Sequence, residues 1–118
     1  MDIREKTIVV GVVSITAREK LGKDVFNWQK IAVRLGLDTV QDDNYMRSRF
    51  CHFICQTIEV TNLPFAWPTV NASEVELRAA YEYWQNLKAD IVQAWENLLE
   101  ELDRPTNDIV LLPKAQGE

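Results

Sequence analysis

The 118-residue sequence predicts a mainly α fold: a compact bundle of about four helices with a short N-terminal β segment, in a single domain spanning residues 1–118. Three observations lead there. From Ser73 to Leu102, Leu77, Trp84, Ile91 and Leu98 recur every seven residues, and Tyr81, Trp95 and Leu102 each follow one of them by four. This spacing draws one apolar stripe along a helix, or along two helices in line. From about Asn44 to Val60, the residues Tyr45, Met46, Phe50, Cys51, Phe53, Ile54 and Ile58 put apolar groups on most faces of a helix, which suits a central, enclosed element. Between Asp24 and Leu35, Val25, Trp28, Ala32 and Leu35 line one side, and Gly36 follows as a stop.

In chain order, Thr7 to Ile15 (TIVVGVVSI) is rich in β-branched residues and fits a strand, with Gly11 marking a bulge or a close backbone approach. Such a strand needs a partner. It could be the late IVLL segment, Ile109 to Leu112, or the equivalent strand of another copy. Thr16 followed by Glu19 has capping-box spacing and could open a short turn of helix that ends at Gly22. Asp24 then caps the next helix, whose Lys23, Lys30 and Arg34 face solvent. Asp42, Asp43 and Asn44 form the entrance to the third helix.

In the segment Asn62 to Ala72, Pro64 and Pro68 bracket Phe65 and Trp67, forbidding helix and holding two aromatics on a stiff, extended loop. Two roles remain open for them: closing the end of the helical core, or anchoring a partner. Ser73 with Glu76 is a further capping box that starts the long striped element. Asp90 could cap a second helix if the chain breaks near residues 86–89, and Pro105 ends the element. Residues 113–118 carry little apolar content and read as a frayed tail.

Charge is uneven along the chain. Residues 1–61 hold nine Lys/Arg against eight Asp/Glu, whereas residues 62–118 hold four against ten. The acidity therefore belongs to the second half, where Glu96, Glu100, Glu101 and Asp103 form an acidic surface opposite the stripe. The one local basic pair, Arg47 and Arg49, lies beside Asp42 and Asp43, so a nucleic-acid partner is not indicated. No run approaches the roughly 20 apolar residues of a membrane span, and no signal peptide is recognisable, so a soluble cytoplasmic protein is expected.

Reactive chemistry finds little support. Gly11, Gly22, Gly36 and Gly117 are isolated, so no phosphate-cradling loop can be drawn through them. Cys51, His52 and Cys55 are the only Cys and His residues, fewer than the four ligands of a structural zinc site. The cysteines read as small buried apolar groups, with His52 at a helix surface or polar boundary. His52 also points about 100° away from Cys51 on a helix, which disfavours a Cys–His dyad. The carboxylate pairs Asp42/Asp43, Glu96/Glu100 and Glu82/Asp90 fall on the water-facing side, whereas acid–base work calls for carboxylates that are partly buried. The reading is non-enzymatic: no catalytic, metal-binding or cofactor-binding residues are assigned.

The segments NYMRSRFCHFICQTIEV, LPFAWP and ELRAAYEYWQNLKADIVQAWENLLEELDRP together resemble small acidic proteins of tailed bacteriophages and prophages, in particular the tail assembly chaperones encoded just before the tape-measure gene. The resemblance covers roughly residues 44–105. It implies a helper, acting in the host cytoplasm if viral, that binds and solubilises the tape-measure protein and brings tail-tube subunits to it. Its candidate partner contacts are Phe65 and Trp67, joined by Tyr81, Trp84 and Trp95 if the stripe is incompletely covered. A homo-oligomer is compatible with this reading. Two rivals share the fold: a virion component such as a head–tail connector or tail-terminator subunit, and a small acidic inhibitor that mimics nucleic acid through Glu96, Glu100, Glu101 and Asp103.

Overall fold

The computed structural model describes residues 3–36 and 44–104. The IVLL segment, Asp42 and Asp43, Pro105 and the 113–118 tail lie outside them. The described chain runs β1 (Glu5–Val10), β2 (Val13–Arg18), α1 (Gly22–Arg34), α2 (Asn44–Gln56), β3 (Thr57–Thr61), α3 (Glu74–Gln85) and α4 (Ala89–Leu102). Four helices are joined by a three-stranded antiparallel sheet of order β1-β2-β3. The architecture is thus mixed α/β, which corrects the expectation of a mainly α bundle.

Two local features account for the difference. The apolar run expected to be one strand is a hairpin, with Val10 opposite Val13 across the two-residue turn Gly11–Val12. Gly11 has φ +63° and is not followed by a second positive φ, the pattern of a type II′ turn. The second feature is β3. The expected helix to Val60 stops at Gln56, and TIEVT, with four β-branched residues in five, enters the sheet directly. Between Thr16–Glu59 and Ala17–Thr57 the register slips, leaving Ile58 as an extra bulged residue, 51% exposed.

Thr16 accordingly lies in β2 and opens no helix. Helix α1 begins at Gly22 with Leu21 as its N-cap, and Asp24, expected at the cap, occupies the third helical position. From there its Oδ2 accepts the Leu21 N–H at 2.7 Å, half of a capping box. The inward line of α1 consequently runs through Asp24, Trp28, Ile31, Ala32 and Leu35, and Val25 is exposed. Arg34 is not a free surface cation, because its Nη1 donates to Val70 O and Ala72 O, both at 2.9 Å.

Helix α2 is the centre, as its all-round apolar character predicts. Phe50, Cys51, Phe53, Ile54 and Cys55 are buried, and α1, α3 and α4 all pack against it. Phe50 and Phe53 form an aromatic hub: Phe50 lies 5.2 Å from Tyr81 and 5.3 Å from Trp84, and Phe53 lies 5.1 Å from Trp84 and 4.9 Å from Trp95. Helix α4 covers β1 and β2, whose inward residues Val13, Ile15 and Ala17 alternate with the less buried Ser14, Thr16 and Arg18.

The long stripe is broken into two helices. Asn86 is the C-cap of α3, and Lys88, rather than Asp90, is the N-cap of α4. The capping box at Ser73 is formed as expected, with Ser73 N donating to Glu76 Oε1 at 2.9 Å and Glu76 N to Ser73 Oγ at 3.2 Å. Among the described residues no helix is long and apolar enough to cross a membrane.

Candidate functional site

The proline-bounded segment after β3 crosses the end of the hub and then runs beside α3. Trp67 packs inward, 4.6 Å from Trp95 and 5.6 Å from Phe50. Phe65 turns the other way and stacks on Tyr83, with ring centroids 5.2 Å apart and planes 12° from parallel. Between this hinge and α3 lies an open cleft of about 450 Å³, walled by Phe65, Trp67, Pro68, Ala79, Ala80 and Tyr83 and edged by Glu76. Its walls are mostly apolar, and Tyr83 is 55% exposed at the rim. Trp67 Nε1 is buried without a hydrogen-bond partner among the described residues. The bonds that Glu76 accepts from Ser73 hold its carboxyl below the usual range, so the cleft edge carries a negative charge.

The five aromatic residues named from the sequence therefore divide. Phe65 and Trp67 are half-buried and share the cleft wall. Tyr81, Trp84 and Trp95 are core residues, with Trp84 2% and Trp95 0% exposed, because the stripe that carries them is covered by α2 and the hinge. They are not available as surface contacts, which corrects their assignment. Tyr83 and Ala79 complete the wall and were not singled out from the sequence; an aromatic lying off the heptad stripe of α3 was the available signal.

The expected acidic surface is largely engaged inside the chain. Glu96 forms a two-pronged ion pair with Arg49. Glu101 pairs with Lys6 at 2.9 Å, and Asp103 Oδ1 accepts the Lys20 N–H at 3.1 Å and Gln56 Nε2 at 3.0 Å. Of the four, Glu100 alone is exposed with no such partner among the described residues. Arg49 is likewise committed, and Arg47 donates to Leu35 O.

The titratable core groups are unsuited to nucleophilic work. Burial pushes the Cys51 and Cys55 thiols up to about 12. Burial, with Lys20 and Arg49 nearby, brings His52 down to about 4. His52 lies 5.9 Å from the Trp28 ring beside a smaller cleft of about 350 Å³ that also touches Lys20, Asp24, Val25 and Gln29. Among the described residues no three His, Cys, Asp or Glu side chains converge as metal ligands would.

Deeper in, Arg18 and Asp24 form a buried bidentate pair at 2.8 and 2.9 Å, and Arg18 also donates to Glu19 O and Cys55 O, both at 2.9 Å. Burial alone would raise the Asp24 carboxyl, but the bonds from Arg18 and Leu21 hold it below the ordinary value. Gln56, 1% exposed, extends the network from Arg18 O to Asp103. Together these bonds tie β2, α1, α2 and the C-terminal end of α4, so the network is structural. No protein-family model matches this chain, and no significant match is found among curated proteins or solved structures.

Proposed function

We propose that this chain is a non-catalytic binding protein that receives the apolar face of a partner helix in the cleft between its hinge and α3. The observation that carries this reading is the cleft itself: aromatic walls from the half-buried Phe65 and the exposed Tyr83, apolar lining from Ala79 and Ala80, and an anionic edge at Glu76. An amphipathic helix laid into such a groove buries its greasy stripe, while the charged rim keeps the complex soluble. The resemblance of residues 44–105 to tail assembly chaperones supplies the client: a tape-measure protein, kept soluble in the host cytoplasm during tail assembly, with tail-tube subunits as further partners. The engagement of Glu96, Glu101 and Asp103 within the chain disfavours a nucleic-acid mimic, which needs its carboxylates free.

Co-expression with the long helical protein encoded directly downstream of its gene tests the reading. The wild-type chain is expected to bring that client into the soluble fraction, and Ala79→Arg, at an exposed position, is expected to abolish the effect while leaving thermal unfolding unchanged. A client that is equally soluble with the variant refutes the cleft. A gene neighbourhood without a tape-measure gene refutes the chaperone assignment.

A further inference from the structure

The outward face of α1 plays no part in the proposed function, yet it leaves large apolar side chains uncovered. Lys23, Phe26, Lys30 and Val33 follow one another at spacings of three, four and three residues, so they share one side of the helix. Phe26 is 66% and Val33 69% exposed, and Val25 beside them is 54% exposed. The opposite side of α1 is the one packed on α2, and Arg34, one turn after Lys30, ties the C-terminal end of the helix to the hinge. The exposed face is thus an aromatic knob between two lysines, and neither lysine is in an ion pair among the described residues.

The cleft has the reciprocal character. Its apolar walls are edged by Glu76, and Glu82 lies one turn beyond Ala79 on the same side of α3. Among the described residues the Glu82 carboxylate has no partner, and Glu76 gives one oxygen to the Ser73 N–H. Phe26 does not fill the cleft of its own copy, since it remains exposed.

We propose that, in the absence of client, the hinge cleft takes the outward face of α1 from a second copy of this chain. Phe26 packs onto the apolar wall formed by the stacked Phe65 and Tyr83 rings and Ala79, and Lys23 and Lys30 meet Glu76 and Glu82. Knob and cleft are different patches, so the contact is heterologous; one copy offers both halves, and copies join head to tail. The inference rests on the cleft reading above and adds what occupies the cleft of the free protein. It also states the chemistry of a competing client: an apolar helix flanked by cations.

Sedimentation velocity across a wide concentration range tests it. The wild-type chain is expected to associate, more weakly as salt rises because the paired charges are exposed. Phe26→Lys and Ala79→Arg, both at exposed positions, are each expected to weaken association about tenfold or more while leaving thermal unfolding unchanged. Mixing the two variants restores one intact contact, from the α1 face of the Ala79→Arg copy to the cleft of the Phe26→Lys copy, and is expected to give a one-to-one pair. A wild-type chain that stays monomeric, or a mixture that forms no pair, overturns the proposal. A cationic amphipathic peptide titrated into dilute Phe26→Lys protein separates this failure from failure of the cleft. Peptide binding that survives in that variant but vanishes with Ala79→Arg leaves the cleft standing even if self-association is absent.

Discussion

Replacing Asp24 with Ala removes the carboxylate at the meeting point of β2, α1 and α2. The change deletes two charge-assisted bonds from Arg18, at 2.8 and 2.9 Å, and the bond from Leu21 N at 2.7 Å that starts α1. Removing one partner of a buried ion pair costs about 3–5 kcal/mol, because the other charge is left in the interior. Loss of the helix-start bond adds about 1 kcal/mol. The Arg18 side chain is 14% exposed and keeps the Glu19 and Cys55 carbonyls, which softens the loss. A net destabilisation of about 3–4 kcal/mol follows, a large part of the roughly 5–15 kcal/mol of a typical domain. Urea unfolding at neutral pH, followed by tryptophan fluorescence, measures it as a lower midpoint at constant slope. The double change Arg18→Met with Asp24→Leu removes both charges and is expected to recover most of the loss. The pH dependence has a definite sign. The folded Asp24 pKa is depressed, so its contribution is complete above the unfolded value of about 4 and disappears as pH falls through the folded value. A loss under about 1 kcal/mol for Asp24→Ala, or a double variant less stable than the single one, refutes the assignment of this pair as the lock between sheet and helices.

Trp84→Ala is expected to cost about 3–5 kcal/mol and to lower the melting temperature sharply, since the ring is enclosed by Phe50, Phe53 and Tyr81; an unchanged melting temperature would return Trp84 to the list of surface contacts. Gly11→Ala should lose about 1–2 kcal/mol from the left-handed turn alone, as nothing lies within 4 Å of the added carbon, and a chemical-denaturation midpoint reports it. His52 has a folded pKa of about 4 against an unfolded 6.5, so stability is complete above pH 6.5 and falls as pH drops from there toward 4, where the unfolded chain alone takes up the proton. His52→Gln should flatten that slope in melting temperature against pH, and an identical slope in both proteins would contradict the half-buried neutral imidazole.

What the sequence disclosed depended on how local each signal was. The Ser73–Glu76 capping box was legible because two side chains three apart contain the whole interaction. The central placement of α2 and the burial of its cysteines followed from residues that are apolar on most faces. β3 was missed because Thr57 to Thr61 continues the greasy run of α2, and five residues fit either a helix or a strand. What settles it is the open edge of β2, a partner more than 40 positions earlier for most of its length. Gly11 reads as a bulge or a close backbone approach because apolar residues flank it on both sides; its positive φ and the pairing of Val10 with Val13 make it a turn. Asp24 reads as an N-cap alone because nothing near it in sequence announces that Arg18 folds back upon it. The cleft was half visible. Phe65 and Trp67 stood out between prolines, whereas Ala79 and Tyr83 acquire their role only when the hinge lies down beside α3.

Gln56 ends a helix and Thr57 begins a strand with no residue between them. A connection without slack transmits displacement, so a pull on the third strand is a pull on the central helix and on every ring stacked against it. Peeling the sheet edge and loosening the aromatic interior are therefore one mechanical event. Amide protons of Val60 and Phe53, though in different kinds of structure, should exchange with solvent through the same opening and at a common free energy.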